Sequence, residues 1–396
     1  LNTAIPSKGS GGLRALLNQR KSRAVIIQGL FLGALLYTVW FIVSTTAHNL
    51  TERNMASGFG FLLQKAGFDI SWSILPYDKG TYLQVFFVGI GNTLILSAAG
   101  IVATTILGFV VGLARLSRNY IARTLAGIFV EMVRNTPLLL QILFWYIVVF
   151  SQLPGPRQSF GVFGLMEFNN RGFYFPAADL TGLVGWLVLA AVLLLIAVLF
   201  LWRHDRKRRA QLGRDAVPFR PWRDRALLVL PVVMLAAAAW QAPWDLPRLD
   251  GFNFSGGWSV PPSFCAALVA LTVNHAAFMA ENVRAGVQSV PSGQHEAGFA
   301  IGLHPSQRMR RIVIPQALRT IVPPTILTWI TLIKNSSLAV AIGYPELISV
   351  FMQTSLNQSG RAIEIVVMVM AFYSVVCLAI SGGLNLYNRR VQIAER

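Results

Sequence analysis

Eight apolar runs divide the chain, at 24–46, 83–114, 122–150, 184–202, 224–241, 262–284, 321–343 and 363–386. Each approaches or exceeds the about 20 residues that an α-helix needs to cross a hydrocarbon layer. Inside that layer no water satisfies a backbone N–H or C=O, so continuous runs of this kind are confined to helices. The expectation is an all-α, polytopic membrane protein with about eight transmembrane helices. Composition agrees, since 54% of the 396 residues are hydrophobic and only 13% are charged. The second and third runs are longer than one span needs, which predicts interfacial turns within them.

A formal net charge of +18 would suit a nucleic-acid partner. The basic residues instead gather in alternate loops, as they do in proteins oriented by cytoplasmic charge. No nucleic-acid partner is therefore expected. Lys8, Arg14, Arg20, Lys21 and Arg23 place the N-terminal tail inside. The next loop balances Arg53, Lys65 and Lys79 against Glu52, Asp69 and Asp78 and faces outward. Alternation then puts Arg115, Arg118, Arg123, the basic run 203–214, the stretch 293–315 and the tail 388–396 inside, an N-in, C-in arrangement. The opening residues LNTAIPSKGSGGLR are polar and basic and lead into a full-length run, which predicts an anchor rather than a cleavable leader. The 203–214 run is expected to anchor topology at membrane lipid. Cys265 and Cys377 lie within apolar runs and read as small buried hydrophobes, without a disulfide or metal site. Gly108 and Gly112, four apart, permit a close helix approach.

Catalytic signatures fail one by one. There is no G-x-x-x-x-G-K-[ST] loop for nucleotide phosphates. His295-Glu296 opens like the zinc motif H-E-x-x-H, but Phe299 stands where the second histidine must be. His275 reads as a packed or hydrogen-bonded helix residue. No catalytic residue and no cofactor bound by this chain are expected.

Polar groups at membrane depth are costly enough to mark sites. Three stretches qualify. In VRNTPLLLQ (133–141), Arg134, Asn135 and Thr136 precede Pro137, which removes a donor and kinks or starts a helix. In VNHAAFMAENVRAG (273–286), Asn274 lies within the span, and Glu281 and Arg284 are spaced to meet on one face. A helix-end ion pair and a ligand contact both remain open there. In IKNSSL (333–338), Lys334, Asn335 and Ser336 fall partway along a segment expected to begin after Pro323-Pro324. A snorkelling lysine and a broken helix lining a polar path both fit. Arg134, Asn135, Asn274, Glu281, Lys334, Asn335 and Ser336 form the candidate substrate path, with groups for a carboxylate and for an ammonium.

The stretch GQHEAGFAIGLHPSQRMRRIVIP (293–315) is neither a plain linker nor a span. Ser292 is placed to cap a short helix, with Glu296 near its positive end. Ala297, Ala300 and Ile301 share a face, and Gly298 and Gly302 leave little bulk. Pro305 ends this helix and suits the first turn of the next. A smooth helix held in a loop fits either a cleft in another protein or its own bundle.

These residues carry a family resemblance. Glu296-Ala297-Gly298, three residues, Gly302, nine residues and Ile312-Val313-Ile314-Pro315 resemble the motif E-A-A-x3-G-x9-I-x-L-P of permease subunits of bacterial ABC importers. Gly298 replaces the second alanine and Ile314 the leucine. GNTL (91–94), RNTPLLLQ (134–141), ENVRAG (281–286), GQHEAG (293–298) and KNSSL (334–338) resemble polar-amino-acid permeases over roughly 82–150 and 262–390. The long form is similar to subunits of broad-specificity L-amino-acid importers, including those for glutamate, glutamine, aspartate and asparagine.

The resemblance implies a type I permease core of about five helices, with an extra N-terminal helix and an inserted helical hairpin. The parts would be 1–81 (tail, first helix, outer loop), 82–150 (first part of the core), 151–261 (inserted segment) and 262–396 (second part with the 292–315 loop). It further implies a bacterial inner-membrane permease paired with a second, related permease, an ATPase dimer that holds ATP and magnesium, and a periplasmic amino-acid-binding protein. Glu296, Ala297, Gly298, Ala300, Ile301, Gly302, Leu303 and Pro315 would couple to the ATPase. An ion-gradient-coupled secondary amino-acid transporter would also explain the spans, but leaves the loop motif without a purpose.

Overall fold

The computed structural model describes residues 20–52, 58–212 and 221–391. The basic tail before Arg20, Arg53, residues 213 and 214 of the basic run and residues 392–396 lie outside the described residues. Among the described residues, six helices are long and apolar enough to cross a membrane: Arg23–Ile42, Tyr82–Arg115, Gly182–Arg203, Pro262–Gln288, Pro305–Ile342 and Ala362–Leu386. A bent pair, Tyr120–Arg134 with Leu138–Gln152, raises the number to seven if it counts as one span. The eighth expected span, 224–241, falls on the helix Pro221–Gln241, whose described apolar part Val229–Gln241 is short for a crossing. The chain is a mostly α-helical, polytopic membrane protein, with six to seven spanning helices among the described residues.

In chain order the helices used below are α1 (Arg20–Glu52), α2 (Tyr82–Arg115), α3 (Tyr120–Arg134), α4 (Leu138–Leu143), α5 (Gly182–Leu212), α6 (Pro221–Gln241), α7 (Pro262–Gln288), α8 (Ser292–Ala300), α9 (Pro305–Arg308), α10 (Ile314–Asn335) and α11 (Ala362–Val391). The over-long second run is one continuous helix, α2, opened by a capping box between Thr81 and Gln84. The third run does break. α3 and α4 meet at 104°, because Pro137 has no donor to continue the ladder. Gln141 repairs the bend by donating to Val133 O and Thr136 O, both at 3.0 Å.

Helix α2 lies against α7 along its glycines. A Cβ at Gly108 would overlap Met279, and one at Gly112 would sit 2.7 Å from Val283 Cβ. Removing both side chains lets the two backbones approach, which is how membrane helices gain contact without a hydrophobic driving force. The sequence places the third polar stretch, 333–338, partway along a segment begun after Pro323-Pro324. Helix α10 instead starts earlier, at Ile314, and continues through both prolines, and it gives way to a 3-10 turn at Ser336–Ile342, within the expected polar stretch.

At the end of the bundle opposite the 292–315 loop, the GNTL residues tie three segments together. Asn92 is fully buried. Its Oδ1 accepts from Ile74 N at 3.1 Å, and its Nδ2 donates to Trp72 O at 3.1 Å and to Pro345 O at 2.7 Å. Thr93 Oγ1 accepts from Leu347 N at 3.1 Å.

The all-α expectation holds for the spans but not for the inserted segment. Its ends form eight short strands, β1 to β8, within 160–178 and 244–260. Four of them, Phe160–Val162, Met166–Asn169, Gly172–Phe175 and Trp258–Val260, make an antiparallel sheet in that order. Aromatic residues such as Phe168, Phe173 and Phe175 favour the strand conformation and pack edge to face. Between the two strand-forming ends, α5 and α6 pack on one another around Val184, Ala238 and Ala242.

Candidate functional site

The loop helix α8 begins at Ser292 itself, with Pro291 in extended backbone before it and no side-chain cap. Ser292 is thus the first helical residue, not the cap expected from the sequence. The helix ends in a full Schellman pair. Gly302 N donates to Phe299 O at 2.9 Å and Leu303 N to Gly298 O at 3.1 Å. This closure requires a left-handed residue, and Gly302 has φ +74°. Pro305 then occupies the first position of α9, as expected.

One side of α8 meets its own chain. Gly298 is buried against Arg308 and Ile312, and Arg308 lies over the Phe299 ring at 5.5 Å and donates to His295 O at 3.3 Å. Glu296, Ala297, Ala300 and Gly302 are exposed, Leu303 is half-buried, and Phe299 and Ile301 remain 71% and 72% exposed. Ile301, with the outer part of the Phe299 ring that Arg308 leaves open, stands beside alanines and a glycine and makes a face suited to a protein surface. Pro315 follows directly on a π-helical turn, Met309–Val313, inside the continuous helical run from Pro305, and the widened turn before it accommodates a residue without an N–H.

A second site lies among the spans. A cavity of about 500 Å³ opens between α3, α4, α7 and α10, and Arg134, Asn274 and Asn335 all line it. The bend after α3 delivers Arg134, whose guanidinium lies over the Phe278 ring at 5.3 Å. No carboxylate lines this cavity, and among the described residues Arg134 makes no ion pair. Asn274 is only 6% exposed, faces the cavity, and its amide makes no hydrogen bond among the described residues. Buried amides are normally satisfied, so an orphaned one at a cavity wall is a place for a ligand or water. Asn335 Nδ2 lies 3.3 Å from His275 Nε2, while His275 Nδ1 donates to Leu271 O at 2.8 Å. Thr328 closes one wall, accepting from Asn282 Nδ2 at 3.2 Å.

The remaining four candidates sit elsewhere. Asn135 caps the end of α3 and is exposed. Glu281 is held between Arg115 of α2 and Arg284 of its own helix. The Glu281–Arg284 spacing made that pair legible, but the Arg115 arm crosses 166 positions and had no local signal. Lys334 lines a different cavity of about 380 Å³ with Tyr373 and Ser374. Ser336 is fully buried and donates back to Ile333 O at 2.7 Å. His275 is hydrogen-bonded within its helix, as read from the sequence, and its other nitrogen reaches the cavity wall. Its adjacency to Asn274 was the available signal. Among the described residues no cluster of histidine, cysteine, aspartate or glutamate could hold a metal ion.

Comparison with known proteins identifies the family. The profile of the family described as binding-protein-dependent transport system inner membrane component matches residues 225–393. The putative amino-acid ABC transporter permease protein YhdX of Escherichia coli K12 is 43% identical over 378 residues, 94% of this chain and 95% of its own. The general L-amino acid transport system permease protein AapQ of Rhizobium johnstonii is 41% identical over 396 residues, 99% of this chain and 98% of its own. The glutamate/glutamine/aspartate/asparagine transport system permease protein BztB of Rhodobacter capsulatus is 33% identical, covering 99% of both chains. A crystal structure of an amino acid ABC transporter with histidines superposes at a TM-score of 0.47, with 20% identity over 78% of this chain and 95% of that one. The three relatives align over 94% to 99% of this chain. The chain belongs to the ABC-transporter permease family, as a non-catalytic membrane subunit related to amino-acid uptake systems.

Proposed function

We propose that this chain forms the translocation path of an ATP-driven L-amino-acid importer and couples to its ATPase through α8. The observation that carries this reading is the exposed face of α8. Glu296, Ala297, Ala300, Ile301 and Gly302 point away from the chain that holds them, while Gly298 alone is buried beneath. A rigid Schellman end keeps that face in place, so a push on it is transmitted through Arg308 and Ile312 into α9 and α10. The turn at Gly302–Leu303 joins α8 to a helical run that continues unbroken from Pro305 through Pro315 into α10, which makes the linkage stiff.

The partners in this reading are an ATPase dimer holding ATP and magnesium, a second related permease and a periplasmic amino-acid-binding protein. The loop 292–315 and both termini would face the cytoplasm of a bacterial inner membrane. The parts 82–150 and 262–396 form the transport core, and 1–81 and 151–261 are its additions.

The cavity supplies the substrate path. Arg134 offers a planar pair of donors to a carboxylate. Asn274 and Asn335 offer amide oxygens to an ammonium. One guanidinium and no carboxylate favour neutral and acidic amino acids over cationic ones. Glu281 and Lys334 would act outside the cavity, Glu281 as an ion-pair clamp between α2 and α7.

Mild detergent purification of the tagged chain from native membranes, with partners identified by mass spectrometry, tests the assembly. An ATPase and a second permease in stoichiometric amounts are the expected result. A lone chain that carries out gradient-driven uptake would overturn it in favour of a secondary transporter.

A further inference from the structure

His275 and Asn335 lie on different helices, α7 and α10, and meet at the wall of the cavity. Leu271 O is a carbonyl and can only accept, so His275 Nδ1, 2.8 Å away, must carry a hydrogen. In the neutral ring Nε2 is then a bare acceptor. The group facing it at 3.3 Å is the Asn335 amide, and only its N–H can meet a bare nitrogen. The opposite orientation would set two acceptors against each other inside a dry wall. The ring is 2% exposed, so no bulk water relieves that conflict.

We infer that His275 is a positioning residue that fixes the Asn335 amide with its carbonyl oxygen free for a ligand, so that the cavity selects molecules bearing an ammonium beside a carboxylate. This rests on the cavity being the substrate path. The oxygen makes no hydrogen bond among the described residues, and Asn335 lines the cavity with Arg134 and Asn274. Asn274, 6% exposed, adds a second amide that makes no hydrogen bond among the described residues. A zwitterionic amino acid complements the set: its carboxylate meets Arg134 and its ammonium meets amide oxygen. An oxo acid of the same shape presents only acceptors to Asn335 and loses the contact. Without His275 the Asn335 amide turns freely and its NH₂ serves the oxo group equally well. His275 touches no ligand in this scheme; it acts on selectivity through its neighbour.

The test is equilibrium binding of radiolabelled L-glutamate and L-glutamine to the intact purified complex in nanodiscs, without binding protein, with 2-oxoglutarate as competitor. Wild type should prefer L-glutamate to 2-oxoglutarate by about tenfold to a hundredfold, the range that a hydrogen bond to a charged group provides. His275→Phe should erase most of that preference while L-glutamate still binds, and His275→Gln, which can again accept from Asn335, should restore it. Asn335→Leu keeps the histidine in place and should lose the preference too, whatever the folding yield of His275→Phe. Equal weakening of both ligands in His275→Phe, or an unchanged ratio in Asn335→Leu, would overturn the inference and leave His275 a packing residue. If neither amino acid binds wild type, or if Arg134→Gln and Asn274→Leu bind both ligands normally, the cavity reading itself fails.

Discussion

Gly302 separates two ways in which α8 could matter. Its φ of +74° is needed for the Schellman closure, yet a Cβ there would meet nothing within 4 Å in this chain. The cost of any substitution within the chain is therefore conformational, not steric. An ordinary L-residue pays about 1–2 kcal/mol to hold a left-handed backbone, which lowers the population of the closed turn about 5- to 30-fold. Asparagine pays less because it tolerates this region, and valine pays more because it is β-branched. If the turn alone mattered, activity would fall in the order Gly302, Gly302→Asn, Gly302→Ala, Gly302→Val. If the exposed face is seated in an ATPase cleft, bulk matters as well, and Gly302→Asn should fall below Gly302→Ala. We expect Gly302→Val and Gly302→Asn to abolish uptake at normal membrane levels, with Gly302→Ala intermediate. The assay is uptake of radiolabelled L-glutamate in cells, with chain abundance measured by immunoblot. Normal uptake by Gly302→Asn would refute the docking face, and normal uptake by all three would refute any coupling role for this turn.

Gly112→Leu should prevent α2 from seating on α7, costing at least the about 1–3 kcal/mol typical of overpacking. A lowered melting temperature of the solubilised chain, or its loss from membranes, checks this. Glu281→Gln leaves Arg115 and Arg284 facing each other at a part-exposed site; we expect about 1–3 kcal/mol of destabilisation, discounted from the fully buried case for solvent screening. The double variant Arg115→Ala, Glu281→Gln should recover part of that loss in a thermal melt. Arg134→Gln should weaken L-glutamate binding about tenfold or more, whereas Asn135→Ala, one residue along but outside the cavity, should bind normally.

The spans were legible because hydrocarbon leaves so few options: a run such as 262–284 has no alternative to a helix. The loop was legible from spacing, since Glu296, Gly302 and Pro315 keep fixed intervals along the chain. What sequence could not give was which polar residues converge. Arg134 and Asn274 share a cavity because α3 packs on α7 through Val130, Ala277 and Ala280 and the chain then bends by 104° to close the space, and Pro137 announces a bend but not its direction. Glu281 and Asn274 stand two turns apart on one helix, and only α2, arriving from elsewhere, decides that Glu281 is spent on Arg115. The strands at 160–178 and 244–260 escaped because each is two to four residues long, too short for an alternating pattern to emerge. The prolines at 323 and 324 misdirected the start of α10, which begins at Ile314 and runs through both, while its break at Ser336 falls where the polar residues mark it.

The glycine seam between α2 and α7 also bears on how the protein is made. Gly112 and its contact Val283 are separated by 283 − 112 = 171 positions. At synthesis rates of ~5–20 residues per second, α2 is complete roughly 10 to 30 s before its partner exists. During that interval its bare groove faces lipid, or whatever other helix arrives first, and the hairpin α5–α6 is synthesised within it. A hairpin that pairs with itself, around Val184 and Ala238, does not compete for the waiting groove. The insertion can thus lengthen the chain without giving α2 a rival partner, and a mutation that splits the hairpin would first be felt as misassembly of a core it scarcely touches.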